Sequence, residues 1–106
     1  MYIQGMKVYE HPEIDSITLP AVMQALSDPC RIAIIRELLV QDRALACNEV
    51  PLDVSKATRS HHFEVLRDAG FISTKVEGTK CMTSIRKAEI DGRFPGLLSL
   101  VQEADS

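Results

Sequence analysis

Lys56, Ser60 and His61 stand at positions i, i+4 and i+5 of the stretch Ser55-Lys56-Ala57-Thr58-Arg59-Ser60-His61-His62-Phe63-Glu64-Val65-Leu66-Arg67-Asp68-Ala69-Gly70. On a helix, with about 100° between successive side chains, they share one side with Ala57 and Glu64. That side offers an ammonium, a hydroxyl and an imidazole with no bulky apolar group among them. It suits a DNA major groove, where bulk is excluded and short donors must reach phosphates and base edges. A second candidate chemistry belongs to thiols. If the fold brings Cys30 and Cys47 together, they make a thiol switch or part of a soft-metal site. His61-His62 does not chelate one ion, because adjacent helical residues diverge by about 100°; His62 falls on the inner arc as a core histidine.

Ser55 caps this helix through its hydroxyl, and Gly70 closes it, because glycine reaches the left-handed region at no steric cost. His62, Phe63, Val65, Leu66 and Ala69 form the opposite, mostly apolar arc. Ser55 and Thr58 position the helix. Arg59 lies among Phe63 and Leu66, so its stem packs while its guanidinium reaches out to phosphate. Upstream, Ala44-Leu45-Ala46-Cys47-Asn48-Glu49-Val50 reads as two turns of helix that Pro51 stops. Residues 52–54 then turn the chain, giving helix-turn-helix order over 44–70. After Gly70 the period changes to two: residues 71–76 and 80–85 read as strands around Glu77-Gly78-Thr79. This hairpin (71–86) is a wing, with Lys75, Thr79, Lys80 and Arg86 placed along it for the DNA backbone.

The remaining elements build the core. Thr18 caps a short helix at 19–26 whose Leu19, Val22, Met23 and Leu26 form one stripe. Asp28 caps a second helix with Pro29 at its first position. Its apolar face carries Ile32, Ile34, Ile35, Leu38 and Leu39, and Arg31 on that face reads as structural, paired to a carboxylate. Residues 87–93 read as polar connection. A last short helix within 94–104 repeats the stripe with Phe94, Leu97, Leu98 and Val101. Neither terminal stripe hides itself, so 17–27 and 94–104 are expected to form a homodimer. The arm at 1–16 stays unassigned, apart from an extended His11-Pro12.

The 106 residues suffice for one domain, with a core that is aliphatic because aromatics are only 5%. A net charge of −3 argues against a nucleic-acid partner until its distribution is read. Residues 1–54 carry −4, 55–87 carry +4 and 88–106 carry −3. Positive charge is thus confined to the polar-faced helix and the wing, and local potential decides where phosphate docks. The chain starts without a basic, apolar leader and has no run of membrane-spanning length, so it reads as cytoplasmic with no membrane partner. Three cysteines without a C-x-x-C indicate reduced thiols, Cys81 among them as strand packing. No cofactor or complete metal-ligand set follows from this pattern.

Two separate motifs, Ala25-Leu26-Ser27-Asp28-Pro29-Cys30-Arg31 and the stretch from Ser55 to Gly70, occur in an order and spacing that resembles the ArsR/SmtB family of bacterial winged-helix repressors. Glu77-Gly78-Thr79 sits where that family has its wing tip. The resemblance covers 19–85. It implies a mainly α fold with a β-hairpin (α+β), a winged helix-turn-helix dimerising through its terminal helices. It also implies a repressor bound to a palindromic operator in double-stranded DNA and released by an inducer, often a metal or metalloid ion, sometimes a reactive oxygen or sulfur species. Two departures stand out. Arg59 replaces a usual aliphatic residue, and the family's C-x-C metal site is reduced to Cys47. The last helix has no His for the alternative site.

Other classes fare worse. No phosphate-cradling glycine loop, nucleophile elbow or H-E-x-x-H helix occurs. A Cys47–His61 catalytic pair would lack a pocket in so short a chain. The remaining alternative is a winged helix used only for protein contacts.

Overall fold

The computed structural model describes residues 2–3, 6–7 and 9–104. The backbones of β1 (Tyr2–Ile3) and β2 (Met6–Lys7) pair antiparallel; the rest of the arm before residue 9 lies outside the described residues. After a 3-10 turn at Ile14–Ser16 come α1 (Leu19–Ala25) and α2 (Pro29–Gln41), then β3 (Leu45–Ala46) and a second 3-10 turn at Cys47–Glu49. The chain continues through α3 (Lys56–Asp68), β4 (Ile72–Glu77), β5 (Lys80–Ile85), α4 (Lys87–Arg93) and α5 (Leu97–Glu103). Strand order is β3-β5-β4, antiparallel throughout.

The capping chemistry read from the sequence is in place. Thr18 Oγ1 accepts from Ala21 N–H at 3.3 Å, Asp28 Oδ1 from Cys30 N–H at 2.7 Å, and Ser55 Oγ from Thr58 N–H at 3.2 Å. Each cap satisfies an amide that has no partner inside its own helix. The wing turns at Gly78, whose φ of 64° puts glycine at the first central position of a two-residue loop between Glu77 and Lys80.

Two segments differ from the sequence-based expectation. Residues 44–50 are not two helical turns. Leu45 and Ala46 pair with Thr83 and Met82 of β5, leaving only one 3-10 turn as the first arm of the helix-turn-helix. A pairing partner 38 residues away outweighs weak local helix propensity. Residues 87–93 are not polar connection but a helix that buries only Ile90.

The core joins Ile34, Ile35 and Leu38 of α2 to Phe63 and Leu66 of α3, Phe71 and Ile72 at the start of the wing, and Leu97, Leu98 and Val101 of α5. Arg31 is only 9% exposed. Its partners are not a carboxylate: Nε donates to Ala25 O at 2.7 Å, while the terminal nitrogens reach Gln24 O at 3.2 Å and His62 Nδ1 at 3.1 Å. The Gly70 backbone has φ of 82°, and a Cβ there would stand 2.8 Å from Ile17 Cγ1. Gly70→Ala combines left-handed strain with a clash, so it should lower the unfolding free energy by about 2 kcal/mol in a urea titration.

Candidate nucleic-acid interface

The helix wheel of α3 translates directly into exposure. Lys56, Ala57, Thr58, Ser60, His61 and Glu64 face solvent, while His62, Phe63 and Leu66 are buried. Ser55 holds the first turn twice, since its hydroxyl also donates to Thr58 Oγ1 at 2.9 Å. On the wing, Lys75, Thr79 and Lys80 are exposed. Among the described residues, neither Lys56 nor Lys75 forms an ion pair with a carboxylate, which leaves both charges available to phosphate.

Two arginines expected at this surface turn away from it. Arg59 is half-buried, and its guanidinium donates to Cys47 O at 3.0 Å, Val50 O at 2.6 Å and Leu52 O at 3.2 Å. The stem packs as expected, but the head ends on the carbonyls of the turn preceding α3 instead of on phosphate. The three carbonyls belong to the 3-10 turn and the irregular chain around Pro51, and a planar five-donor group serves all of them at once. Arg86 likewise commits its donors to Glu89, at 2.8 Å and 3.1 Å, and to Pro12 O at 2.9 Å. It ties the arm to α4 and leaves the wing surface.

The arm itself was silent in the sequence. Tyr9 places its ring under the Arg67 guanidinium, 4.5 Å from centroid to Cζ, and its hydroxyl 3.2 Å from Cys81 Sγ. His11 Nε2 accepts the Thr74 N–H at 2.9 Å, which covers part of the outer edge of β4. An aromatic ring beneath a guanidinium and a histidine beside Pro12 leave no periodic signal by which reading the chain alone would find them.

No family model matches the chain. The HTH-type transcriptional regulator YceK of Bacillus subtilis (strain 168), itself uncharacterized, is 38% identical over 79 residues, spanning 73% of this chain and 79% of that protein. The uncharacterized HTH-type regulator MJ1325 of Methanocaldococcus jannaschii is 29% identical over 83 residues, 77% of this chain and 89% of its own. The crystal structure of the ArsR family transcriptional regulator RHA00566 superposes with a TM-score of 0.62 at 28% identity, covering 70% of this chain and 81% of the other. The chain is a helix-turn-helix transcriptional regulator of the ArsR family.

In this ArsR-family chain the fold does not bring Cys30 and Cys47 together. Cys30 lies beside Asp28 and His62, whereas Cys47 Sγ is 3.3 Å from Thr83 Oγ1 in a cavity shared with Cys81. Cys30 and Cys47 thus sit in separate clusters. The ligand atoms of Asp28, Cys30 and His62 fall within 4.8 Å of one another. Arg31 is donor-only, so its bond makes His62 Nδ1 an acceptor and assigns the ring proton to Nε2, which faces Asp28 Oδ1 at 3.9 Å. A cation on Nε2 would drive that proton to Nδ1, against the guanidinium. Two of its three members are already engaged elsewhere, Asp28 Oδ1 by the Cys30 N–H and His62 Nδ1 by Arg31.

Burial, aided by the nearby Arg86 and Arg67 charges, lowers the His11 pKa below its ordinary 6.5. A group whose folded pKa is depressed contributes stability that is full above 6.5 and is lost as pH falls through the lower folded value. Protonation also removes the acceptor for Thr74 N–H. Stability measured from pH 7 to pH 5 should therefore fall, and His11→Asn should flatten that part of the profile; an unchanged profile would assign it to other groups.

Proposed function

We propose that this ArsR-family regulator is a cytoplasmic, dimeric, non-enzymatic repressor that binds a palindromic operator. In this reading, each protomer lays α3 in a major groove and its wing along the neighbouring backbone. The observation that carries it is the solvent-facing side of α3, with Lys56, Ser60 and His61 flanked by the wing lysines Lys75 and Lys80. Ser55, Ala57, Thr58 and Thr79 complete the contact set, and Arg59 and Arg86 drop out of it. Two such helices related by a two-fold axis would enter successive grooves about 34 Å apart.

Support for the dimer comes from what the monomer leaves outside. Val22, Ala25, Leu97, Leu98 and Val101 are spent on the core, but Leu19, Met23 and Leu100 remain 52%, 50% and 61% exposed. Met23 and Leu26 share an apolar groove of about 310 Å³ with Ile32, Leu97, Leu100 and Val101. A second copy would cover that groove and the stripes beside it.

The reading is tested by gel shift and by selection from random duplexes. Lys56→Ala should weaken every duplex alike and reduce the slope of log affinity against log salt by about two, one for each protomer of the dimer. Ser60→Ala should instead change the preferred half-site, at about 1–3 kcal/mol for the altered base pair. Salt-insensitive, sequence-blind retention would replace DNA recognition by a protein-contact role.

A further inference from the structure

The β3–β5 ladder pairs Leu45 with Thr83 and Ala46 with Met82. One step further along the same register sets Cys47 opposite Cys81. Ala46 is still extended (φ −63°, ψ 143°), so the Cα of Cys47, the first residue of the 3-10 turn, still lies on the strand line. Residues opposite each other on antiparallel strands have Cα atoms about 4.5–5.5 Å apart, inside the roughly 4.4–6.8 Å range of disulfides. The side chains also lie on one side. Cys47 Sγ touches Thr83 Oγ1, and Thr83 and Cys81, two residues apart on β5, project from the same face. Both thiols line one cavity of about 380 Å³, walled by Tyr9, Arg59, Phe63 and Arg67.

We propose that Cys47 and Cys81 are a peroxide-responsive dithiol that closes to a cross-strand disulfide and lowers operator affinity. The oxidant is a hydroperoxide, which the cavity is large enough to admit. One thiolate attacks the peroxide: an S–O bond forms, the O–O bond breaks, and the leaving oxygen departs as hydroxide or alkoxide and takes up a proton. The second thiolate attacks the sulfenic sulfur; the S–S bond forms, the S–O bond breaks, and hydroxide leaves as water. Two electrons pass from the two sulfurs to the peroxide, reduced to water and either water or an alcohol. Burial, only partly offset by the Thr83 hydroxyl, pushes the Cys47 thiol above its ordinary range, which disfavours it as the first attacker and leaves it the second. Tyr9, pushed up to about 12 first by its bond to Cys81 and then by burial, keeps its proton at neutral pH and can donate it to that sulfur.

The route to DNA is short. The Cys47 carbonyl is held by Arg59 of α3, so the rotation at Cys47 that brings the two sulfurs to bonding distance is passed to the first half of α3 relative to the wing. Those two elements must keep their spacing to sit on one duplex.

This regulation rests on the repressor reading, so the test separates the two. The full chain is reduced, treated with stoichiometric hydrogen peroxide and measured by intact mass and tryptic mapping. The expected result is a loss of about 2 Da and a linked pair of peptides, 44–56 with 81–86, formed within one chain. Operator affinity should fall at least tenfold and return with dithiothreitol. Cys30→Ser should keep both responses, and Cys47→Ser and Cys81→Ser should each lose both. Mapping needs no variant, so a misfolded mutant does not blunt it. A link through Cys30, a link between chains, or sulfinic acid with no 2 Da loss overturns the pairing. A disulfide that leaves operator affinity unchanged overturns the regulation. Reduced protein that binds no operator sinks the repressor reading and leaves the mass result to judge the dithiol.

Discussion

Arg59→Met should lower the unfolding free energy by about 3 kcal/mol, a shift of roughly 15 °C in Tm. The stem is kept, so the loss reports on the three carbonyls of Cys47, Val50 and Leu52 that the guanidinium serves. Hydrogen bonds to a charged donor contribute about 1.5–3 kcal/mol each, and water recovers part of that at a half-buried site. Operator binding by the same Arg59→Met protein separates this role from a phosphate contact. If the guanidinium serves only the three carbonyls, removing its charge leaves the salt slope of operator binding as in the parent. A variant as stable as the parent but with a shallower salt slope would return Arg59 to the DNA surface.

The second large effect concerns the uncovered stripe. Leu100→Glu places a carboxylate in the middle of the face proposed to pair two copies. Because Leu100 is 61% exposed in the single chain, the folded monomer should be almost unaffected. Sedimentation should show one chain where the parent shows two. Operator affinity should fall by 100-fold or more, since each recognition helix then binds without its tethered twin. A variant that still sediments as a dimer would move the interface elsewhere.

What was legible in the chain was local. Thr18, Asp28-Pro29 and Ser55 announce their helices because capping is a short-range hydrogen bond, and the period-two runs around Glu77-Gly78-Thr79 announce the hairpin. The two sides of α3 follow from a wheel alone. What failed was set by distant partners. Leu45 and Ala46 become strand because Thr83 and Met82 are there to pair with, and no propensity within 44–50 reports that. The helix α4 buries one residue, Ile90, too few to make a stripe. A wheel places Arg59 correctly on the inner arc but cannot say where the end of so long a side chain goes. Arg31 was rightly given to the interior and wrongly given a carboxylate, for the same reason.

Three of the guanidinium ties join positions far apart along the chain. Arg36 bonds Val101 O across 65 residues, Arg86 bonds Pro12 O across 74, and Arg93 bonds Ile17 O across 76. Closing loops of that length costs entropy before any contact returns it, so these clasps fasten after the central helices and the wing have met. They are correspondingly the first to come undone. The arm that Arg86 fastens at Pro12 carries Tyr9 onto Cys81, and each brief unfastening bares that sulfur to whatever small oxidant is passing.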